Sequence, residues 1–314
     1  MSRRTGRPAP AAMPPRQETM PPSTRIGDAL ADDGHRLTYR VDGERSPTLL
    51  VYHGLLSSRQ HWWPFIEHFS GRARVVTWDY RGHGQSAAPA PGAPLSMASF
   101  ARDGHAVLRA AARGPAVLLG LSMGVQVVLE HYRAHPEDAQ ALVLLCGTYG
   151  HPLVESASAR ALLVGLARAV GQGGATLRMA LRTMLESPAL PRLAALSGAA
   201  DPDLVPADFL PSLFHHVASL EPRVVSEVVS SYLTHSAEDV LSQVSVPTLI
   251  LASDRDRLTP MCLSEHMRAR IPGAELVVLP KSTHVAQLEY PDRTHRLVAR
   301  FLAKHGLLDG AGGR

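Results

Sequence analysis

The stretch "GLSMG" at residues 120–124 sets Ser122 between Gly120 and Gly124. A serine hydroxyl is a weak nucleophile unless a neighbouring base takes its proton and a further group orients that base. The chemistry to look for is attack on a carbonyl carbon, with a base, an orienting carboxylate and an oxyanion hole supplied by other parts of the chain. Alone, a G-x-S-x-G string is weak, because any tight strand-to-helix turn favours glycine.

Its flanks strengthen it. Val117, Leu118 and Leu119 read as a short buried strand, and apolar residues then recur at helical spacing through Val125, Val128, Leu129 and Tyr132. A strand that turns at once into a helix crowds the turn residue. Glycines two positions to either side let the backbones approach without a Cβ clash. The turn residue itself is expected in strained backbone, at the N-terminus of a helix whose dipole favours developing negative charge.

The base should be a histidine, whose ordinary pKa near 6.5 lets it take and return a proton at neutral pH. Of the 16 histidines, His284 is best placed. It follows the strand "AELVVLP" through Lys281-Ser282-Thr283 and is expected to start the last helix. A loop after a parallel strand opens at the same sheet edge as the Ser122 turn. The competing reading is a helix-capping or surface histidine. Two carboxylates, Asp254 and Asp256, follow the strand of Leu249, Ile250 and Leu251. Asp256 lies deeper in the loop, ahead of Leu258, and Thr259-Pro260 starts the next helix. The carboxylate that does not orient the base is expected to pair with Arg255 or Arg257 at the surface, where such pairs contribute little. The oxyanion hole needs two backbone N–H groups. Met123, at the helix start, offers one. Leu55 offers the other, following His53 and Gly54 after the strand "TLLVYHG". Gly54 lets that loop pass close to a substrate, and His53 is expected to be a structural hydrogen-bonding residue.

These residues need a scaffold that brings strand ends together. Apolar strands alternate with amphipathic helices before residue 150 and again after 240, the pattern of a doubly wound, mostly parallel sheet covered on both faces. The first two strands, 36–43 and 48–54, are expected to form an antiparallel edge. Residues 150–240 break the rhythm. They carry no convincing strand and read as four or five short helices cut by glycines and prolines, an insertion over the edge where open α/β sheets bind ligands.

Composition narrows the function classes. The 314 residues are 45% hydrophobic, enough for one large α/β domain with an insertion or two ordinary domains. No apolar run approaches the ~18 residues of a membrane span. The net charge of +4 resides in residues 1–25, where five arginines stand against Glu18, so the body shows no nucleic-acid footprint. Those residues also hold six prolines and are expected to be disordered. No apolar h-region follows Arg3 and Arg4, so a cytoplasmic protein is expected. Cys146 and Cys262 form neither a disulfide framework nor a metal spacing, and Cys146 reads as a small core residue.

Together the residues resemble the α/β-hydrolase fold family, its large Ser-His-Asp group. The resemblance rests on His53-Gly54, on Asp79-Tyr80-Arg81-Gly82-His83-Gly84-Gln85-Ser86, which is similar to the family's D-x-R-G-x-G-x-S loop, and on Gly120 to Gly124. It continues in Asp256-Arg257-Leu258-Thr259-Pro260 and in His284 followed by Glu289-Tyr290-Pro291. The order Ser, Asp, His is the family's, and the likeness covers roughly residues 25–305. It favours Asp256 over Asp254. It implies an eight-stranded sheet with a helical cap, divided as a leader at 1–25, a core at 26–149 and 241–305, a cap at 150–240 and a flexible tail at 306–314. Thr283 departs from the glycine that usually precedes the histidine. A serine at the elbow sets the chain apart from haloalkane dehalogenases and epoxide hydrolases, which carry aspartate there.

The resemblance implies a serine hydrolase acting through an acyl-enzyme on Ser122, with Asp256 and His284, and with no organic cofactor or metal. The insertion is rich in Leu, Val, Phe and Met and has no clustered positive charge, which points to an uncharged, moderately apolar ester, lactone or thioester. The partner is thus a small-molecule acyl substrate, with no nucleic acid and no membrane span. Perhydrolysis, C–C bond hydrolysis, aminopeptidase action and acyl transfer are rival chemistries on the same triad, and a non-catalytic small-molecule receptor is a rival from another class. An aminopeptidase needs paired acids in the insertion, and Glu155, Glu186, Asp201, Asp203 and Asp208 form no evident pair. His215 and His216 are equally compatible with lining the pocket and with a helix surface.

Overall fold

Side chains alternate across the central strands with period two. Leu49 and Val51 enter one apolar core, Leu50 and Tyr52 the other. The same split separates Val117 and Leu119 from Leu118, and Val143 and Leu145 from Leu142 and Leu144. A strand buried on both faces must be covered by helices on both, and it is. The computed structural model describes residues 24–309 apart from 113, 151, 153–156, 174, 186 and 188–198. Residues 1–23 of the expected leader, 310–314 of the expected tail, Glu155 and Glu186 lie outside the described residues.

The strands are β1 (Arg25–Leu30), β2 (Arg36–Asp42), β3 (Thr48–Tyr52), β4 (Arg74–Trp78), β5 (Ala116–Leu121), β6 (Ala139–Leu145), β7 (Thr248–Ser253) and β8 (Glu275–Leu279). They form one eight-stranded sheet in the order β1-β2-β4-β3-β5-β6-β7-β8. From β4 to β8 every pairing is parallel. One face is covered by α2 (Met97–Ala111), α3 (Met123–Ala134) and α8 (Met261–Arg270). The other is covered by α1 (Trp63–Phe69) and α10 (Pro291–Lys304). Ser96 caps α2, its Oγ accepting the Ser99 N–H at 3.2 Å, and Pro64 opens α1, where its missing N–H costs nothing. Between β6 and β7 run α4 (Ala157–Gln172), α5 (Ala175–Leu185), α6 (Phe209–Ser219) and α7 (Pro222–Thr234). Among the described residues no helix is long and apolar enough to cross a membrane.

Three expectations change. The antiparallel edge is made by β1 and β2, and 48–52 lies inside the sheet, parallel to both β4 and β5. Its uninterrupted apolar run "TLLVY" needs cover on both faces, which an edge does not supply. Arg25 belongs to β1 rather than to the leader. Finally, the last long helix begins at Pro291. His284 lies in the loop before a separate short helix, α9 (Ala286–Glu289).

Candidate active site

The elbow is built by steric necessity. Ser122 adopts φ 56° and ψ −118°, a conformation that is costly for any residue but glycine. It is held there by its N–H donating to the Leu145 carbonyl at 3.0 Å and by its own carbonyl accepting the Val125 N–H at 3.1 Å. A Cβ on Gly120 would overlap the backbone of Gly124, and one on Gly124 would overlap the Tyr52 carbonyl. Both glycines are therefore required by the close approach of β5, α3 and β3.

Three loops from the same sheet edge converge on the Ser122 hydroxyl. His284, beyond β8, places Nε2 at 2.8 Å from Ser122 Oγ. Its Nδ1 lies 2.8 Å from Asp256 Oδ2, beyond β7. Asp256 is fixed by its own loop: Oδ1 accepts the N–H groups of Leu258 and Thr259 at 2.9 Å each, and Oδ2 accepts the Thr259 hydroxyl at 2.7 Å. Burial raises the Asp256 pKa, but the charge of His284 and these hydrogen bonds outweigh it, and the carboxyl stays below its usual range. Asp254 is exposed, and among the described residues no ion pair joins it to Arg255 or Arg257. Solvent around the open loop leaves little to gain from such a pair.

Gly54 adjoins the elbow, with the position of a Cβ only 3.4 Å from Ser122 Cβ. Leu55 follows it at the wall of the cavity in front of Ser122, and Met123 is the first residue of α3, whose N–H has no intrahelical acceptor. Among the described residues neither N–H makes a backbone hydrogen bond outside a helix or strand. His53 is buried beneath Tyr80, ring centroids 3.8 Å apart, with Nδ1 3.3 Å from the Gly54 carbonyl. Burial holds its pKa well below the ordinary value, so it is a neutral packing group.

The cavity measures about 330 Å³. Its wall includes Leu121, Phe209, Leu210, Leu213, Val229 and Leu233, and among the described residues no Asp, Glu, Lys or Arg side chain lines it. Four positions at the candidate site were not apparent from sequence. His61 reaches the cavity between Ser57 Oγ, at 2.7 Å, and Ser212 Oγ, at 3.3 Å, whereas His215 is exposed and His216 packs toward His83. Tyr232 of α7 brings its phenol to the Ser122 hydroxyl, and burial raises its pKa so far that it remains an O–H donor. Thr283 and Glu289 form a clamp. Glu289 Oε2 accepts the Thr283 N–H at 2.7 Å, Oε1 accepts the Asp201 N–H at 2.9 Å, and the Thr283 hydroxyl donates to Oε1 and lies 3.3 Å from the Ala199 carbonyl. The hydroxyl that replaces the usual glycine hydrogen was the visible signal. Its partner, 84 residues away, was not.

A serine on a strand–turn–helix elbow, at the carboxyl edge of a parallel sheet beside an apolar cavity, is the arrangement of the α/β-hydrolase class. The chain belongs to the alpha/beta hydrolase fold family, whose profile matches residues 47–291. Among curated relatives, RutD of Klebsiella pneumoniae (strain 342), provisionally named a carbamate hydrolase, is 26% identical over 264 residues, covering 82% of this chain and 92% of its own. The (E)-2-((N-methylformamido)methylene)succinate hydrolase of Acinetobacter baylyi is 23% identical, covering 84% and 93%. The enol-lactonase structure from Burkholderia xenovorans LB400 superposes with a TM-score of 0.73 at 20% identity, covering 88% of this chain and all of that one, a likeness of fold. The protein is a hydrolase of the α/β type.

Proposed function

We propose that the protein hydrolyses an uncharged, moderately apolar ester, lactone or thioester in two steps through an acyl-enzyme on Ser122. The observation that carries this reading is the Ser122–His284–Asp256 chain, 2.8 Å at each link, opening into a cavity whose wall, among the described residues, holds no Asp, Glu, Lys or Arg. Ser122 Oγ bonds to the carbonyl carbon while its proton passes to His284 Nε2. The displaced carbonyl electron pair becomes an oxyanion held by the N–H groups of Leu55 and Met123. Asp256 keeps the proton of His284 on Nδ1 and balances the charge of the imidazolium. Collapse breaks the bond to the leaving group, which takes the proton from Nε2, and water repeats the sequence on the acyl-enzyme.

The residues expected as a cap, 150–240, are assigned the specificity role, since Phe209, Leu210, Leu213, Val229 and Tyr232 of α6 and α7 stand over the Ser122 elbow. Carboxylates such as those in the succinate named for the Acinetobacter baylyi relative would meet no cation among the described residues of this wall, at a cost that favours neutral acyl groups. A cytoplasmic setting accords with two unpaired thiols, Cys146 and Cys262.

Hydrolysis of p-nitrophenyl esters across acyl lengths, with fluorophosphonate labelling, tests the reading. Ser122→Ala is expected to lower kcat by about 10⁶ and to abolish labelling. Turnover near the wild-type rate in that variant would end the proposal.

A further inference from the structure

A second group of chemistry-bearing side chains lies at the opposite end of α3 from Ser122. His131 sits in the last turn of α3, His105 on the facing side of α2, and Asp138 in the short turn ahead of β6. His131 Nε2 and His105 Nδ1 both point at one atom, Asp138 Oδ2, at 2.8 and 2.6 Å. All three ligand atoms lie within 4.8 Å of one another. Outer partners set both rings. The Tyr52 hydroxyl hydrogen-bonds His131 Nδ1, and His135 stacks on His105 at 3.7 Å with an interplanar angle of 9°. His131 and Asp138 are buried, while the His105 side chain is 27% exposed and leaves the cluster open to solvent on one side.

We propose that His105 Nδ1, His131 Nε2 and Asp138 Oδ2 form a divalent transition-metal site, suited to zinc. Two imidazoles and a carboxylate, with water in the remaining position, are an ordinary zinc ligand set. The supporting hydrogen bond from the second ring nitrogen of His131 is the feature that holds a ligating histidine in its tautomer. A tyrosine oxygen can either donate or accept. It therefore serves the metal-free network, in which Nε2–H donates to Asp138, and also the loaded one, in which Nδ1–H donates to Tyr52 and the Nε2 lone pair faces the ion. Metal–ligand bonds of about 2.0–2.2 Å require the ligand atoms to part to about 3.3 Å. The His105 side chain, the partly exposed member of the three, is the one whose solvent-facing side allows that movement. An ion here would tie α2, α3 and the start of β6 at a corner remote from the cavity, independently of the reading given for Ser122.

The test is calorimetric titration of the untagged, EDTA-treated protein with zinc chloride, with Co²⁺ absorption as a second probe of the ligand set. The expected result is one Zn²⁺ per chain, a raised melting temperature, and a d–d absorption band with Co²⁺. His105→Ala should weaken binding at least tenfold without changing ester hydrolysis. Tyr52→Phe, with all three ligands intact, should weaken it about 10- to 100-fold. Absence of saturable Zn²⁺ binding by the wild type would overturn the site and leave a hydrogen-bonded Tyr–His–Asp–His network. Unchanged affinity and stoichiometry in His105→Ala would overturn it equally, by moving the ion to other histidines.

Discussion

The geometry of Asp256 leaves it a single orientation. Both oxygens are saturated by donors: Leu258 N–H, Thr259 N–H, the Thr259 hydroxyl and the imidazole of His284. An amide in the same place must turn its NH₂ either toward two backbone donors or toward His284 Nδ1. In the second pose the imidazole carries its proton on Nε2, facing Ser122, and is no longer a base. Asp256→Asn is therefore expected to lower kcat by about 10⁴ with little change in KM, and to slow phosphonate labelling in parallel. Steady-state kinetics with a p-nitrophenyl ester decides it. A loss under tenfold would show that the tautomer is set by something else. Cys146, for contrast, is near the same loops but inert. Burial pushes its thiol up to about 12, and its Sγ rests 3.3 Å from Ser253 Oγ.

Among the described residues, four other than glycine have positive φ: Leu56, Ser122, Cys146 and Lys281. They lie just beyond β3, β5, β6 and β8, at the edge where the cavity opens. Backbone strain is thus gathered where loops must present groups to a ligand, and the rigid parallel strands beneath sustain it. The His284 loop needs an extra hold, and the Glu289 clamp provides it while also seating the segment at Ala199 and Ala200, part of the cavity wall. Glu289→Ala leaves the buried N–H of Thr283 and the N–H of Asp201 without acceptors. It is expected to cost about 2 kcal/mol in stability by chemical denaturation. KM should rise and kcat should fall, because wall and base are released together. Glu289→Gln, which keeps one acceptor oxygen, should recover part of both. An Ala variant with native KM would separate the clamp from the cavity.

Across the molecule, burial has been extended to several histidines. His61, His83 and His295 are each pushed down to about 4, chiefly by desolvation, with neighbouring histidines adding to the shift. A folded-state pKa below the unfolded value means that the unfolded chain binds the proton first, so stability falls as pH falls. The loss should begin near pH 6.5, the ordinary histidine value, and continue to about 4, where the folded groups take up protons too. Each group contributes a slope of at most about 1.4 kcal/mol per pH unit in that window. Denaturant unfolding at pH 7.5, 6.5, 5.5 and 4.5 should show a flat region followed by a steep decline. A stability independent of pH across this range would mean that these rings are solvated in the native state.

What could be read from the chain itself was whatever depends on local chemistry. The glycines about Ser122, the apolar runs with period two, and loops carrying Asp256 and His284 after their strands are each imposed within a dozen residues by sterics and hydrophobic periodicity. The tertiary structure alone decided which strands are neighbours. A strand such as "TLLVY" announces that both of its faces are buried, but not that β4 and β5 flank it, and β1 escaped notice because Ile26 and Leu30 face outward from an edge. It also decided that His61 rather than His215 or His216 meets the cavity, and that Tyr232, Thr283, Glu289 and the His105–His131–Asp138 cluster find their partners. The contacts of Glu289 with Asp201, of Thr283 with Ala199 and of His105 with Asp138 join residues far apart in the chain. Local spacing carries no record of them, because only the packing of helices on both faces of the sheet sets how distant loops meet.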